Sequence, residues 1–174
     1  ALAIRPAAPA DFAAIHAIYA HYVDHSLATF EEVPPDVAEL LRRRRRIAGL
    51  GLPYVVAESD GAVRGYAYAA PYRDRSAYRF AVEGSIYVDQ GWHRRGIGRV
   101  LMDRLIADSA AAGKRQMVAV IGDSANAASI GLHAAAGFRP AGILPSVGFK
   151  HGRWVDSVLM ILPLGAGDAS PPAA

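Results

Sequence analysis

The sequence predicts an α/β (α+β) fold, and three patterns carry that reading. Residues 82–101, VEGSIYVDQGWHRRGIGRVL, pass from a β-rich run into a basic, glycine-punctuated turn and then into a helical pattern. Residues 54–58 and 62–70 flank Ser59, Asp60 and Gly61, a turn chemistry that favours positive φ and closes a hairpin. Elsewhere apolar residues recur at helical spacing, as in Phe12, Ile15, Ile18, Tyr19 and Tyr22. With 174 residues, 52% hydrophobic and 20% charged, the chain has the composition of one globular domain, not of a disordered one. Residues 1–164 form that domain and the Pro/Gly/Ala/Ser-rich residues 165–174 a loose tail.

The elements follow in order. Residues 2–5 make a short first strand closed by Pro6, and Pro9 and Asp11 open the first helix. A loop spans residues 26–35, after which Asp36 caps a second helix running to about Ile47 and ended by Gly49 and Gly51. The hairpin comes next, then an Arg- and Tyr-rich loop over residues 71–80 and the strand that contains Glu83. A helix opens after Gly98 and stops at Gly113; residues 117–121 form a buried strand; residues 126–136 form a helix ended by Gly137. Two last strands lie near residues 138–148 and 154–162.

Composition removes several chemistries. No cysteine is present, which excludes disulfides, cysteine-ligated zinc and an acyl-cysteine intermediate. A net charge of +3 does not call for a nucleic-acid partner. No apolar run approaches the roughly 20 residues of a membrane span, and the start, ALAIRP, lacks a signal-peptide layout. The expected protein is soluble and cytoplasmic.

A strand feeding a Gly-rich turn that opens a helix leaves backbone N–H groups at the positive end of the helix dipole, a site for phosphate or pyrophosphate. Arg94, Arg95 and Arg99 beside Gly96 and Gly98 strengthen that reading. A dinucleotide fingerprint needs a third glycine where Leu101 stands, so that alternative fails. Glu83 shares strand parity with Ser85 and Tyr87 and reads either as an outward-facing carboxylate or as a base. Arg42 to Arg46 are consecutive on a helix, point around its axis and read as a solvated helix end. His21 and His25 have the i,i+4 spacing of a zinc pair but lack the glutamate that follows the first His in zinc proteases, so no metal is assigned.

A second motif, Asn126-Ala-Ala-Ser129-Ile-Gly-Leu-His133-Ala-Ala-Ala-Gly137-Phe138, joins Gly96-Ile97-Gly98. Together they resemble the GNAT superfamily of acetyl-CoA-dependent N-acetyltransferases. The likeness runs from Ile4 to Leu164 and is closer to the phosphinothricin acetyltransferase-like branch. Its carriers are Thr29-Phe30, residues 66–69 and 71–78, Glu83-Gly-Ser-Ile-Tyr-Val88, residues 118–121, and Val147-Gly-Phe-Lys-His-Gly-Arg-Trp154. The resemblance implies a mixed, mostly antiparallel sheet of about seven strands, splayed at the cofactor site, with helices on both faces.

It also implies roles. Ile86, Tyr87 and Val88 would meet the cofactor's pantetheine and thioester through their backbone. His93, Arg94, Arg95, Gly96, Ile97, Gly98 and Arg99 would cradle the pyrophosphate of acetyl-CoA. Asn126 would bind the pantetheine arm with Ser129 close by. Glu83 matches the branch's general base, and His133 stands where many relatives carry a tyrosine that protonates the departing thiolate; it serves as that acid or as an alternative base. Phe30, Arg73, Arg75, Tyr78 and Tyr87 match the amino-acid pocket. His93 departs from the usual Gln or Arg, so cofactor binding there should rest on backbone amides. The implied acceptor is the α-amine of phosphinothricin, methionine sulfoximine or methionine sulfone, and the implied assembly is a homodimer. Other readings are acetylation of a protein N-terminus or a polyamine, or a non-catalytic acyl-CoA-binding or RNA-associated protein.

Overall fold

The computed structural model describes residues 1–173. In chain order the elements are β1 (Ala3–Pro6), α1 (Phe12–His25), α2 (Val37–Gly49), β2 (Tyr54–Ser59), β3 (Ala62–Pro71), β4 (Ala81–Val88), α3 (Ile97–Ala111), β5 (Gln116–Gly122), α4 (Ala127–Ala135), β6 (Arg139–Lys150) and β7 (Arg153–Pro163). The seven strands form one sheet in the order β1-β2-β3-β4-β5-β7-β6, antiparallel except where β4 runs parallel to β5. The expected mixed, mostly antiparallel sheet of about seven strands is thus the observed one.

Strand alternation sends successive side chains to opposite faces, and each face buries a different set. Val55, Ala57, Ala67, Ala69 and Val82 pack with Leu101, Met102 and Leu105 of α3. Val56 and Tyr66 pack on the other face with Phe12, Ile15, Tyr19 and Val23 of α1. Asp36 caps α2 by accepting from Glu39 N at 2.7 Å. Helix α3 begins at Ile97, ahead of the expected start after Gly98, because Gly96 takes a left-handed φ of +80° that launches the helix at once.

Two sequence expectations gain detail. The arginine run does not act as a unit: Arg42 and Arg43 pair with Glu39, Arg43 also pairs with Glu31, and Arg44 donates to Ala7 O at 2.7 Å. After Leu164 the chain turns back, and Arg115 donates to Gly167 O at 2.7 Å and Ser170 O at 2.6 Å. Ala174, the end of the tail, lies outside the described residues.

Candidate active site

The site forms where β4 parts from β5. Their pairing extends only from Ala81–Gln116 to Glu83–Val118, whereas β4 stays paired with β3 as far as Val88. From Gly84 onward β4 therefore has one open edge. The Asp89 amide donates to Arg64 O at 2.9 Å, so odd-numbered residues address β3 and the backbone groups of Ile86 and Val88 address the gap. Val88 O accepts from Tyr22 Oη at 2.6 Å, and His93 Nε2 lies 3.1 Å from the same oxygen. Among the described residues, Ile86 N–H, Ile86 C=O and Val88 N–H face the unpaired edge and are open to a ligand.

Beside the gap the turn exposes the start of α3. Arg94 and Gly96 have φ of +60° and +80°. The first ladder bond runs from Val100 N to Gly96 O at 3.1 Å, leaving the N–H groups of Ile97, Gly98 and Arg99 outside the helical ladder. The first turn carries no side-chain cap and no acid, so its positive dipole end is uncompensated. A Cβ on Gly98 would stand 3.2 Å from Leu132 Cδ2, which shows how closely α3 and α4 approach.

These surfaces enclose a cleft of about 520 Å³. Eleven of the twelve residues assigned to a cofactor by sequence line it, Asn126 and Ser129 from α4 among them. Asn126 caps α4 by accepting from Ser129 N at 3.2 Å, which directs its amide nitrogen elsewhere. Arg95 is not among the walls. Its guanidinium stacks 4.5 Å from the Trp92 ring, with Arg64 4.3 Å from the same ring, because a flat cation gains more on an aromatic face than in water. Arg99 lines the cleft but is partly engaged, with Asp103 at 2.9 Å and Ala135 O at 2.9 Å.

Glu83 stands at the parting itself, half-buried, and among the described residues no side chain or backbone group bonds to its carboxylate. Burial alone pushes its pKa above the ordinary carboxylate value. Such a group is a stronger base than a solvated carboxylate. His133 differs. It is 8% exposed, its ring meets Phe138 edge-on at 5.0 Å, and Nδ1 lies 2.7 Å from Ser129 O. A carbonyl can only accept, so Nδ1 carries the hydrogen and Nε2 the lone pair. Burial lowers its pKa and keeps the ring neutral near pH 7. In that state Nε2 accepts a proton and has none to give.

The residues assigned to an amino-acid pocket fall into two groups. Tyr87 lines the cleft and packs against Tyr19 and Tyr22 at 5.1 and 5.2 Å. Phe30 lies across glycines, since a Cβ on Gly148 would come 2.6 Å from its Cε2 and one on Gly122 3.1 Å from its Cε1. Arg73, Arg75 and Tyr78 instead sit together in the loop before β4: Arg73 is 5.1 Å from the Tyr72 ring and Tyr78 meets that ring at 5.7 Å. Arg75 and Arg73 line a different cavity, which includes neither Phe30 nor Tyr87.

Sequence reasoning missed two features on the α1 side. Tyr19, Tyr54, Tyr66 and Tyr68 wall a cavity of about 500 Å³ under α2, on the sheet face shared with Glu83. Lys150, 2% exposed, donates to Thr29 O at 2.7 Å and so ties β6 to the loop that carries Phe30. Thr29 Oγ1 shares a bond with Tyr19 Oη at 2.9 Å, Tyr19 donates to Glu31, and Arg43 holds Glu31 with bonds of 2.7 and 3.0 Å. Tyr66 and Tyr68 alternate on β3, which marks a shared face, but Tyr54 of β2 and Tyr19 of α1 join them only through the fold. Lys150 left no local signal, because its partner is 121 residues away.

Among known proteins, the sequence model described as the acetyltransferase (GNAT) family matches residues 15–138. The chain is 52% identical to a phosphinothricin N-acetyltransferase of Alcaligenes faecalis over 99% of its own length and 87% of that protein's. It is 41% identical to an L-methionine sulfoximine/L-methionine sulfone acetyltransferase of Salmonella typhimurium, covering 94% of this chain and 95% of the other. A crystal structure of a GNAT superfamily phosphinothricin acetyltransferase from Sinorhizobium meliloti, in complex with acetyl-CoA, superimposes with a TM-score of 0.96 at 47% identity. It covers 99% of this chain and 93% of its own.

Proposed function

The chain belongs to the GNAT family of N-acetyltransferases, and from that premise we propose that it acetylates the α-amine of small amino-acid-like compounds. Phosphinothricin, methionine sulfoximine and methionine sulfone are the candidate acceptors, since relatives that act on them span nearly the whole chain. One observation carries the proposal: a desolvated, unpartnered carboxylate stands where the strands part, between a phosphate-shaped turn and the α1 face.

The cleft fits acetyl-CoA by its own chemistry. Free N–H groups at the start of α3, with Arg94 beside them, suit a pyrophosphate. The open edge at Ile86 and Val88 offers the strand-like donors and acceptors that an amide-bearing pantetheine arm needs. Bound there, acetyl-CoA supplies an acetyl thioester whose C–S bond breaks as the amine's C–N bond forms. Glu83 takes the proton that the incoming ammonium must lose, directly or through water. Val88 N–H is the donor for charge developing on the carbonyl oxygen. His133, neutral with its lone pair on Nε2, serves as an accessory acceptor in this scheme. The thiol leaving group, with an intrinsic pKa near 8.5, needs little acid assistance.

Phe30 and Tyr87 supply apolar walls for the acceptor, and Arg73 and Arg75, which line a separate cavity in the loop before β4, draw its anionic group by charge at longer range. A polyamine fits poorly, since Arg42, Arg43 and Arg46 line the cavity under α2 against one acid, Glu39. An RNA-associated role is disfavoured by the dispersal of Arg42 to Arg46 into separate contacts.

The reading includes a homodimer in the cytoplasm. Edge strand β6 exposes Ile143, Leu144, Val147 and Phe149 at 47–56%, and Trp154 is 65% exposed. A long apolar edge invites pairing with a second copy. Light scattering at working concentration should give twice the chain mass.

Release of thiol from acetyl-CoA, measured across amino acids, their sulfone and sulfoximine analogues and polyamines, tests the proposal. Turnover should concentrate on the amino-acid analogues. Preference for polyamines or no turnover on any member would refute the assigned acceptor.

A further inference from the structure

We propose that Tyr22 and His93 form a register lock for the arm of acetyl-CoA: together they close the Val88 carbonyl, so that the arm's amide donor meets Ile86 O and not Val88 O. The lock rests on the assignment of this cleft to acetyl-CoA, and the two side chains are positioning residues within it.

The three groups form a closed triangle. Tyr22 Oη donates to Val88 O at 2.6 Å, and His93 Nε2 stands 2.8 Å from Tyr22 Oη and 3.1 Å from Val88 O. A carbonyl only accepts, and the one phenolic hydrogen is already directed at it, so Nε2 carries the hydrogen that faces both oxygens. Burial pushes the Tyr22 phenol above its ordinary pKa, which keeps that donor protonated. Its ring is held edge-on against Tyr87 at 5.2 Å. On the other side a tight turn returns the chain: Asp89 accepts from Gly91 N at 3.2 Å, and Trp92 N donates to Asp89 O at 2.8 Å. His93 follows that turn directly and comes back over the end of β4.

A strand edge repeats every two residues, so Ile86 and Val88 present equivalent carbonyls about 6.7 Å apart. The pantetheine arm carries two amide N–H donors, and the edge alone does not tell them which carbonyl to take. With the pyrophosphate held at α3, an arm caught on Val88 O ends one repeat short of Glu83. Two donors on Val88 O occupy both of its lone pairs and remove that choice. The same peptide plane is tied on its far side, where Asp89 N donates to Arg64 O at 2.9 Å, so the carbonyl cannot swing away. Val88 N–H takes no part and stays available to the thioester oxygen.

Calorimetric titration with acetyl-CoA and with ADP, which keeps a pyrophosphate and lacks the arm, tests the lock in Tyr22→Phe, His93→Leu and the double variant. Steady-state kinetics with methionine sulfone as acceptor run in parallel. Each single variant keeps one donor on Val88 O and should shift the constants far less than the double variant, which opens the second register. Unproductive binding lowers kcat and the acetyl-CoA KM by one common factor and leaves kcat/KM unchanged. That factor should be about three- to tenfold, the net worth of one hydrogen bond. The acetyl-CoA Kd should fall by the same factor while the ADP Kd holds, which also shows that the cleft is folded. His93→Gln in the Tyr22→Phe background returns a donor and should restore the original constants. A double variant with lower kcat/KM and weaker acetyl-CoA binding, effects that simply multiply from the two single variants, or ADP weakened alongside acetyl-CoA would each overturn the lock alone. Failure of the unmodified chain to bind acetyl-CoA would overturn the assignment of the cleft, and the lock with it.

Discussion

The two ends of β4 are built by different means. At its C-terminal end the cleft is made largely of backbone: the open edge at Ile86 and Val88, the left-handed Gly96 and the free amides of α3. At its N-terminal end and across the α1 face, side chains from distant elements do the work, among them Phe30, Tyr68, Lys150 and the arginines near Arg75. Backbone groups serve a cofactor whose phosphates and amides are invariant. In the proposed reading, side chains serve an acceptor whose identity varies within a family. A change at one end should therefore move one substrate's constants and leave the other's alone.

Glu83→Gln gives the largest separation. Loss of a positioned base costs about 10²–10⁴-fold in kcat, while the acetyl-CoA Kd should hold; near-normal turnover would remove Glu83 as the base. Gly96→Ala comes next. A Cβ there meets nothing within 4 Å, so the cost is conformational, about 1–2 kcal/mol for a non-glycine residue at positive φ. Acetyl-CoA Kd should rise by about tenfold with the acceptor KM unchanged. A larger effect from His93→Ala would mean that side chains, not amides, hold the cofactor.

Lys150→Met should act in the opposite sense. Cutting the tie to Thr29 O frees the loop that positions Phe30, so acceptor KM should rise several-fold while acetyl-CoA Kd stays constant. Equal loss at both ends would make the residue merely structural. The smallest effect concerns stability. A carboxyl whose folded pKa is raised favours folding most at acid pH, and that contribution is lost as pH rises through the folded value. Glu83→Gln should therefore raise Tm at pH 7, with the gain shrinking as pH falls toward 4.5, the ordinary value. A gain that grows toward acid would contradict a desolvated Glu83.

The same contrast explains what could be read from the chain alone. The strand, turn and helix around Gly96 and the cap at Asn126 are local grammar, and the cleft assembles from them. Local grammar does not say where a long side chain ends. Arg95 looked like its neighbours in the turn yet stacks on Trp92. Arg73 and Arg75 precede Tyr78 by five and three residues, but the loop folds them toward Arg45 and Lys114 and away from Phe30. Lys150 and the tyrosines under α2 depend on pairings across most of the chain, which periodicity does not encode. His133 was legible as a candidate, but its tautomer needed the Ser129 carbonyl.

The pH dependence of kcat/KM for the acceptor, measured in parallel for the unmodified chain, Glu83→Gln and His133→Gln, tests the central claim most directly. The account predicts an acid limb from a group titrating above 4.5, kept in His133→Gln and abolished in the residual activity of Glu83→Gln. A limb that persists unchanged in Glu83→Gln and disappears in His133→Gln would contradict it and move the base to α4.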